Sequence, residues 1–318
     1  MIDSVSEGLA LVRRRPGLIA LPVAIDLLLW AAPQLSLEPL ARRAAEGVVA
    51  PAGLTGSEAY EAVRAVREFL LDFGQHSNLL ALLGNGFVGV PSILSAGLPE
   101  GLQHLGGRLL VQSFPTALAL AVVLTLAGLV VAAAYLTAIA AAVREEPIAF
   151  SSFLRKAAYN SLRLCSFVAA LIGGGLALGL PATLLGLLVA VAGAGVASFA
   201  LSLVALFALW AGLWVLIYLF FVVDSLILQE VGLGRAIVNS ILVVRTSFWP
   251  ALGLILLLNV LGAGLGVVWR WLASALPGGV VLAIPLNAFV GTGLATASFL
   301  FYRDRYQKMR ERFAGKGG

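Results

Sequence analysis

The chain has 318 residues, 60% of them apolar and 12% charged, with 21 Lys or Arg against 16 Asp or Glu and a net charge of +5. Soluble domains are roughly 45–50% apolar and roughly 25% charged, so this composition excludes a soluble fold and points to lipid. The basic residues flank apolar runs, where they read as membrane orientation signals and give no case for nucleic acid binding.

Taken in chain order, the first element is an amphipathic stretch, SVSEGLALVRRRP. Ser4 and Glu7 have capping-box spacing, Ile2, Val5, Leu9 and Val12 form one apolar stripe, and Arg13, Arg14 and Arg15 close it. A first span over 17–37 follows. Its long leader carries Asp3 and Glu7 and its core holds Pro22 and Asp26, which favours a retained anchor over a cleaved signal peptide.

Residues 38–114 form an extracytoplasmic insertion. Thr55 and Glu58 again have capping-box spacing, and Val63, Val66, Leu70 and Phe73 make a stripe opposite Glu61, Arg64 and Glu68, which predicts a surface helix. Within the insertion, LLALLGNGFVGVPSILSAGL (79–98) is long enough to cross but is broken by Gly84, Asn85, Gly86, Gly89 and Pro91. A crossing there would expel the basic tail from Arg303 to Lys316, so the segment is expected to be interfacial or re-entrant, with protein or water covering its backbone.

Further spans are expected at 115–143, 164–190, 196–228, 248–272 and 279–302, each near or above the roughly 20 apolar residues that a bilayer core requires. Pro181 and Pro285 fall inside two of them. Two more cationic amphipathic stretches precede hairpins. In FSSFLRKAAYNSLRLC, Phe150, Phe153, Leu154, Ala157, Ser161 and Leu162 oppose Ser152, Arg155, Lys156, Tyr159 and Arg163. In LGRAIVNSILVVRTSF, Ile237, Ile241, Val244 and Phe248 oppose Arg235, Asn239 and Arg245. Both contain an Asn-Ser pair, Asn160-Ser161 and Asn239-Ser240, ahead of a Phe. The expected fold is therefore all-α: one polytopic membrane domain of six transmembrane helices, arranged as three pseudo-repeated hairpins, each preceded by an amphipathic interfacial helix.

Orientation follows from the cations. With the N-terminus inside, all but Arg42, Arg43, Arg64, Arg67, Arg108 and Arg270 of the 21 basic residues lie on the cytoplasmic side, and both termini face the cytoplasm of a prokaryotic cell membrane. The cations of the amphipathic stretches, Arg13, Arg14, Arg15, Arg155, Lys156, Arg163, Arg235 and Arg245, are then candidate contacts for lipid headgroups.

At this point RAIVNSILVVRTSFWPALGLILLLN, with a later span ending in FLFYRDRYQ, resembles the membrane domains of prokaryotic glycerophosphodiester phosphodiesterases and related polytopic proteins. SEGLALVRRRPGLIALPVAIDLLLW resembles them more distantly. The enzymes among them carry a separate soluble catalytic domain that has no counterpart here, so the resemblance implies a membrane domain without catalysis. It transfers no site residue.

Three intramembrane polar groups stand out. Asp26 lies about 14 Å into the first span by helical rise, Asn259 about 16 Å from the same side and Asn287 about 12 Å from the other, so the three could converge near the midplane. Asp224 and Arg270, nearer span ends, read as snorkelling or salt-bridged groups. Small-xxx-small spacings at Gly128/Ala132, Gly175/Gly179, Ala208/Gly212, Gly262/Gly266 and Gly293/Ala297 fit close helix packing.

Chemistry is poorly provided for. Cys165 is the only cysteine, which rules out an intramolecular disulfide and a thiolate cluster. His76 and His104 lack zinc-site spacing. No nucleophile elbow, HExxH or phosphate loop occurs, and the best acid or base candidates, His76, His104 and Glu100, share no recognised spacing. No enzyme, metal or cofactor is expected. The expected partners are membrane lipids and a membrane protein partner, and the expected role is noncatalytic binding of lipid or partner protein. The alternative is a small-solute or lipid transporter with a midplane site at Asp26.

Overall fold

Lipid offers backbone polar groups no partner, so segments that cross it satisfy their own hydrogen bonds as helices. The computed structural model describes residues 2–49, 56–84, 89–99, 102, 105–146, 149–190 and 194–314, and helix dominates them. In chain order the helices are α1 (Ile2–Arg14), α2 (Ala20–Ala31), α3 (Glu38–Glu46), α4 (Gly56–His76), α5 (Phe114–Val143), α6 (Phe150–Ala190), α7 (Ala194–Leu219), α8 (Val222–Leu228), α9 (Leu233–Thr246), α10 (Phe248–Ala275) and α11 (Gly279–Ala314). Among the described residues, five stretches are long and apolar enough to cross a membrane: Phe114–Val143, Phe150–Pro181, Ser202–Leu228, Phe248–Ala275 and Gly279–Arg312. By that measure the chain is a multi-pass membrane protein.

The expected first span is shorter than its sequence suggests. The apolar helical stretch runs over Pro16–Ala31, with a 3-10 turn at Pro16–Ile19 leading into α2. Ala32 is extended (φ −74°, ψ 157°), as a residue before Pro33 must be. Residues Gln34–Ser36 then form a strand, β1, that pairs in parallel with β2 (Arg108–Leu110). This two-stranded sheet is unmarked in the sequence. It ties the start of the insertion to its end, and Gln34 Nε2 donates to the Ser77 carbonyl (2.9 Å) while the Leu37 N–H donates to Ser77 Oγ (2.9 Å), which brings in the end of α4.

α4 is the surface helix that the stripe predicted, packed on α3 with Gly74 against Ala41. Its stripe is only partly covered. Val63 and Leu70 are half-buried, whereas Val66 and Phe73 are exposed. Thr55 lies outside the described residues.

The amphipathic stretches take three different forms. α1 packs along α11: a Cβ on Gly8 would collide with the Gly293 carbonyl oxygen and lie 2.9 Å from the Ala297 nitrogen. The second stretch is no separate interfacial helix, because α6 runs unbroken from Phe150 into the following span. The third, α9, is separated from α10 by a break at Ser247 (φ −138°, ψ 44°). The two later stretches also bury other faces than expected. Ala157, Asn160, Leu164 and Phe167 point inward on α6, and Ala236, Asn239, Ser240, Val243 and Val244 on α9, leaving Phe150, Leu154 and Leu162 exposed. The reason is polar pairing: Asn160 Nδ2 donates to Thr137 Oγ1 (2.9 Å) and Asn239 Nδ2 to Ser225 Oγ (3.3 Å). Each Asn thus reaches a hydroxyl on the helix before it, and burying it there satisfies both groups.

The main core lies where α5, α6, α8, α9, α10 and α11 meet, around Tyr135, Leu164, Phe221, Leu226, Leu254, Phe301 and Tyr302. A second apolar cluster joins α2 and α11 to the 89–99 segment through Ile25, Leu29, Ile93, Leu94, Ala283 and Ile284.

The contact of α1 with α11 depends on glycine at both helices. Gly8→Ala is expected to lower the melting temperature in detergent, at a cost of about 1–3 kcal/mol for overpacking. Gly212→Ala, whose added methyl meets open space, should not lower it.

Candidate functional site

Asp26 is fully buried on the inner face of α2, beside Pro22, Ile25 and Leu29. Opposite it, residues 89–99 run without helix or strand, so their backbone N–H groups have no regular partners. The carboxylate supplies them. It accepts the Ser92 hydroxyl at 2.5 Å, the Leu94 N–H at 3.1 Å and the Ile93 N–H at 3.2 Å. Ser92 Oγ in turn accepts the Ser95 N–H at 3.0 Å, closing a small turn.

This irregular segment is embedded in the bundle. Pro91 lies against Gly291 of α11, where any Cβ would collide with its ring, and the 3-10 segment Leu79–Gly84 lies against Gly128, the middle of α5. Val90, Ile93 and Leu94 are buried. The described residues of the segment are therefore inserted among α2, α5 and α11. Residues 85–88 lie outside the described residues.

A cleft of about 400 Å³ opens beside it, walled by residues 89–96, α10 (Gly262, Leu265, Gly266, Trp269, Arg270) and α11 (Asn287, Val290, Gly291, Leu294, Ala295). The small residues at 262 and 266 act here by leaving room: a Cβ on Gly266 meets nothing within 4 Å and one on Gly262 only the Leu294 methyl at 4.0 Å. Gly175, Gly179 and Gly212 also face open space, so of the small-xxx-small spacings only Gly128 and Gly293 mark close approach.

The three midplane groups do not converge. Asp26 is committed to residues 92–94. Asn259 is exposed on α10, its side chain returned to the Ile255 carbonyl (2.8 Å), and Asn287 is half-buried and lines the cleft. Helical rise fixes depth and says nothing of azimuth, which is why equal depth misled. Asp224 and Arg270 are not salt-bridged among the described residues. Asp224 is buried against the Ser298 hydroxyl (2.6 Å), and Arg270 reaches the Ala96 carbonyl at 3.4 Å.

Of the eight candidate headgroup cations, Arg13, Arg14, Arg15, Arg155, Arg235 and Arg245 are exposed. Arg245 borders a second cleft, about 510 Å³, with Trp214, Tyr218 and Ile241. Lys156 and Arg163 are instead half-buried and engaged with the protein. Lys156 bridges Glu146 (3.0 Å) and Glu230 (3.2 Å), and Arg163 donates to the Glu230 carbonyl (2.7 Å). Arg144 also pairs with Glu230 (3.0 Å). Glu145 and Glu230 both adopt left-handed backbone (φ 57° and 52°) just after α5 and α8, an unfavourable conformation for a non-glycine residue. Burial pushes the Glu230 carboxyl up, but hydrogen bonds from Lys156 and Arg144 outweigh it and hold the group below its ordinary 4.5.

His76 is exposed beside Asp72, and Glu100 and His104 lie outside the described residues. The chain matches no protein-family model, no curated protein and no solved structure. Sequence reasoning missed Ser92 as the partner of Asp26 and Trp269 as a wall of the cleft. The Gly and Pro interruptions at 84–91 were the one signal that unusual backbone would need a polar anchor.

Two outcomes follow. Asp26→Leu should destabilise the protein strongly, by about 1–3 kcal/mol for each donor left unsatisfied, with Asp26→Asn intermediate because one acceptor oxygen remains; thermal unfolding in detergent reads this. A depressed carboxyl contributes its stability in full above its unfolded value and loses it as pH falls through the folded one. Stability should thus decline below about pH 5 in the wild type, and this decline should be shallower in Glu230→Gln.

Proposed function

We propose that the chain is a noncatalytic integral membrane protein that binds lipid or a partner protein within the bilayer, and that the cleft between α10, α11 and residues 89–96 is its binding site. The cleft carries the reading. Its volume falls in the roughly 300–1,000 Å³ range of small-molecule sites, and its walls are mostly apolar with few polar groups. The burial of Asp26 behind its wall supports binding over conduction, since the carboxylate is committed to holding backbone.

In this reading the chain crosses a prokaryotic cytoplasmic membrane six times, Pro16–Ala31 being a short first crossing, with the Arg-rich end and both termini inside. The matched pairs Asn160–Thr137 and Asn239–Ser225, each near a left-handed Glu, support an internal repeat for two of the three hairpins. The resemblance of the last third to noncatalytic membrane domains points the same way.

One observation favours the transporter alternative: Ser92 both lines the cleft and bonds Asp26, so a single side chain separates the two. The readings part in reconstituted vesicles. Binding alone predicts that purified protein keeps lipid through extensive detergent washing, that Gly262→Leu with Gly266→Leu releases it, and that no pH-driven flux appears. A flux abolished by Asp26→Asn would replace the binding reading with the transporter, and absence of retained lipid from the wild type would remove it.

A further inference from the structure

The cleft is unusual in its polar inventory. No carboxylate lines it among the described residues, and two of its polar residues can only donate: the Arg270 guanidinium and the Trp269 indole. The Trp269 N–H is buried without an acceptor among the described residues. Arg270 has no acidic partner among them either, and its single bond, to the Ala96 carbonyl, is long at 3.4 Å. Asn287 adds an amide with no hydrogen-bond partner among the described residues. Buried donors without acceptors are rare in folded chains, because each forfeits its hydration.

These groups are ordered along the helices. Arg270 lies five residues from the α10 end at Ala275, about 8 Å by helical rise, whereas Gly262 lies about 20 Å from it. The cleft thus runs from a cationic, donor-rich mouth to an apolar floor at Leu265 and Leu294. Its polarity follows that of a lipid monolayer, headgroup outward and chain inward.

Resting on the binding reading above, we infer that the cleft takes an anionic phospholipid, its phosphate on Arg270 and its ester oxygens toward Trp269 and Asn287, with an acyl chain over Gly262 and Gly266. A planar guanidinium grips phosphate in a fork of two donors, which a neutral glutamine cannot reproduce. Selection comes from the lining charge: among the described residues that line the cleft there is a guanidinium and no acid, which favours an anionic headgroup over a cationic one.

The test is native mass spectrometry of the delipidated full chain, titrated with phosphatidylglycerol and phosphatidylcholine of the same acyl chains. Wild type should prefer phosphatidylglycerol, and Arg270→Gln should cut that preference about tenfold while leaving phosphatidylcholine binding intact, the size of one charge-assisted hydrogen bond. Trp269→Phe should weaken both lipids. A preference unchanged by Arg270→Gln, or lost instead on replacing Arg13, Arg14 and Arg15 by Gln, would overturn the assignment while leaving lipid binding standing. Displacement of the lipid by millimolar inorganic phosphate would identify a simple anion site and equally overturn it. Failure of either lipid to bind the wild type, or indifference of both to Gly266→Leu, would remove the underlying reading as well.

Discussion

A single carboxylate allows a stretch of irregular backbone to exist inside an apolar bundle. Residues 89–99 leave their N–H groups unpaired by any helix or strand, and where they pack into the bundle beside Gly291 those groups need polar partners from elsewhere. Asp26 takes three donors from residues 92–94 and so turns a costly segment into a wall. Its position on α2 is itself set by packing, because Ile25 and Leu29 on the same face enter the apolar cluster with Ile93 and Leu94. The polar bond and the apolar contact hold the same two elements together.

The cleft is a consequence of that wall. α10 packs on α11 and α9 and reaches the inserted segment through Arg270 and Ala273, while the absence of side chains at Gly262 and Gly266 keeps the gap beside it open. A chain that crossed the membrane as continuous helix through 79–98 would fill this space with side chains. The irregular backbone instead brings Ser92 and Ser95 to one side of a cavity whose other sides carry Trp269, Arg270 and Asn287. At the opposite end the structure is closed by charge: Arg144, Lys156 and Arg163 gather on Glu230, whose left-handed backbone these contacts help to hold. The molecule is thus pinned by ionic contacts at its basic end and open near the insertion.

Much of this was legible in the residues. Apolar runs without charge located the long helices, closely for 115–143 and 248–272. However, α6 begins at Phe150, well ahead of the expected 164, and α11 runs on to Ala314, past the expected 302, because bilayer thickness sets only a minimum length. The Gly, Asn and Pro interruptions of 79–98 identified backbone that could not cross as a helix, and Asp26 was singled out because a carboxylate is expensive at its depth. What remained hidden was azimuthal and long-range. Equal depth suggested that Asp26, Asn259 and Asn287 meet, but rotation about each helix axis separates them. The pairing of Asp26 with Ser92 spans 66 residues and leaves no periodic trace, and the parallel strands β1 and β2 are too short to show alternation. The amphipathic stripes erred for a related reason: in lipid, apolar faces have no need to turn inward, and the buried asparagines Asn160 and Asn239 decide which face does.

The claim on which the rest depends is that the Asp26 carboxylate, and not water, satisfies the backbone of residues 92–94. Hydrogen–deuterium exchange of the protein in lipid nanodiscs addresses it at single amides. The account predicts that the Ile93 and Leu94 amides exchange slowly, at rates comparable with those in the middle of α5, although they belong to no helix or strand. Exchange of these two amides as fast as that of the exposed residues of α4 would contradict it.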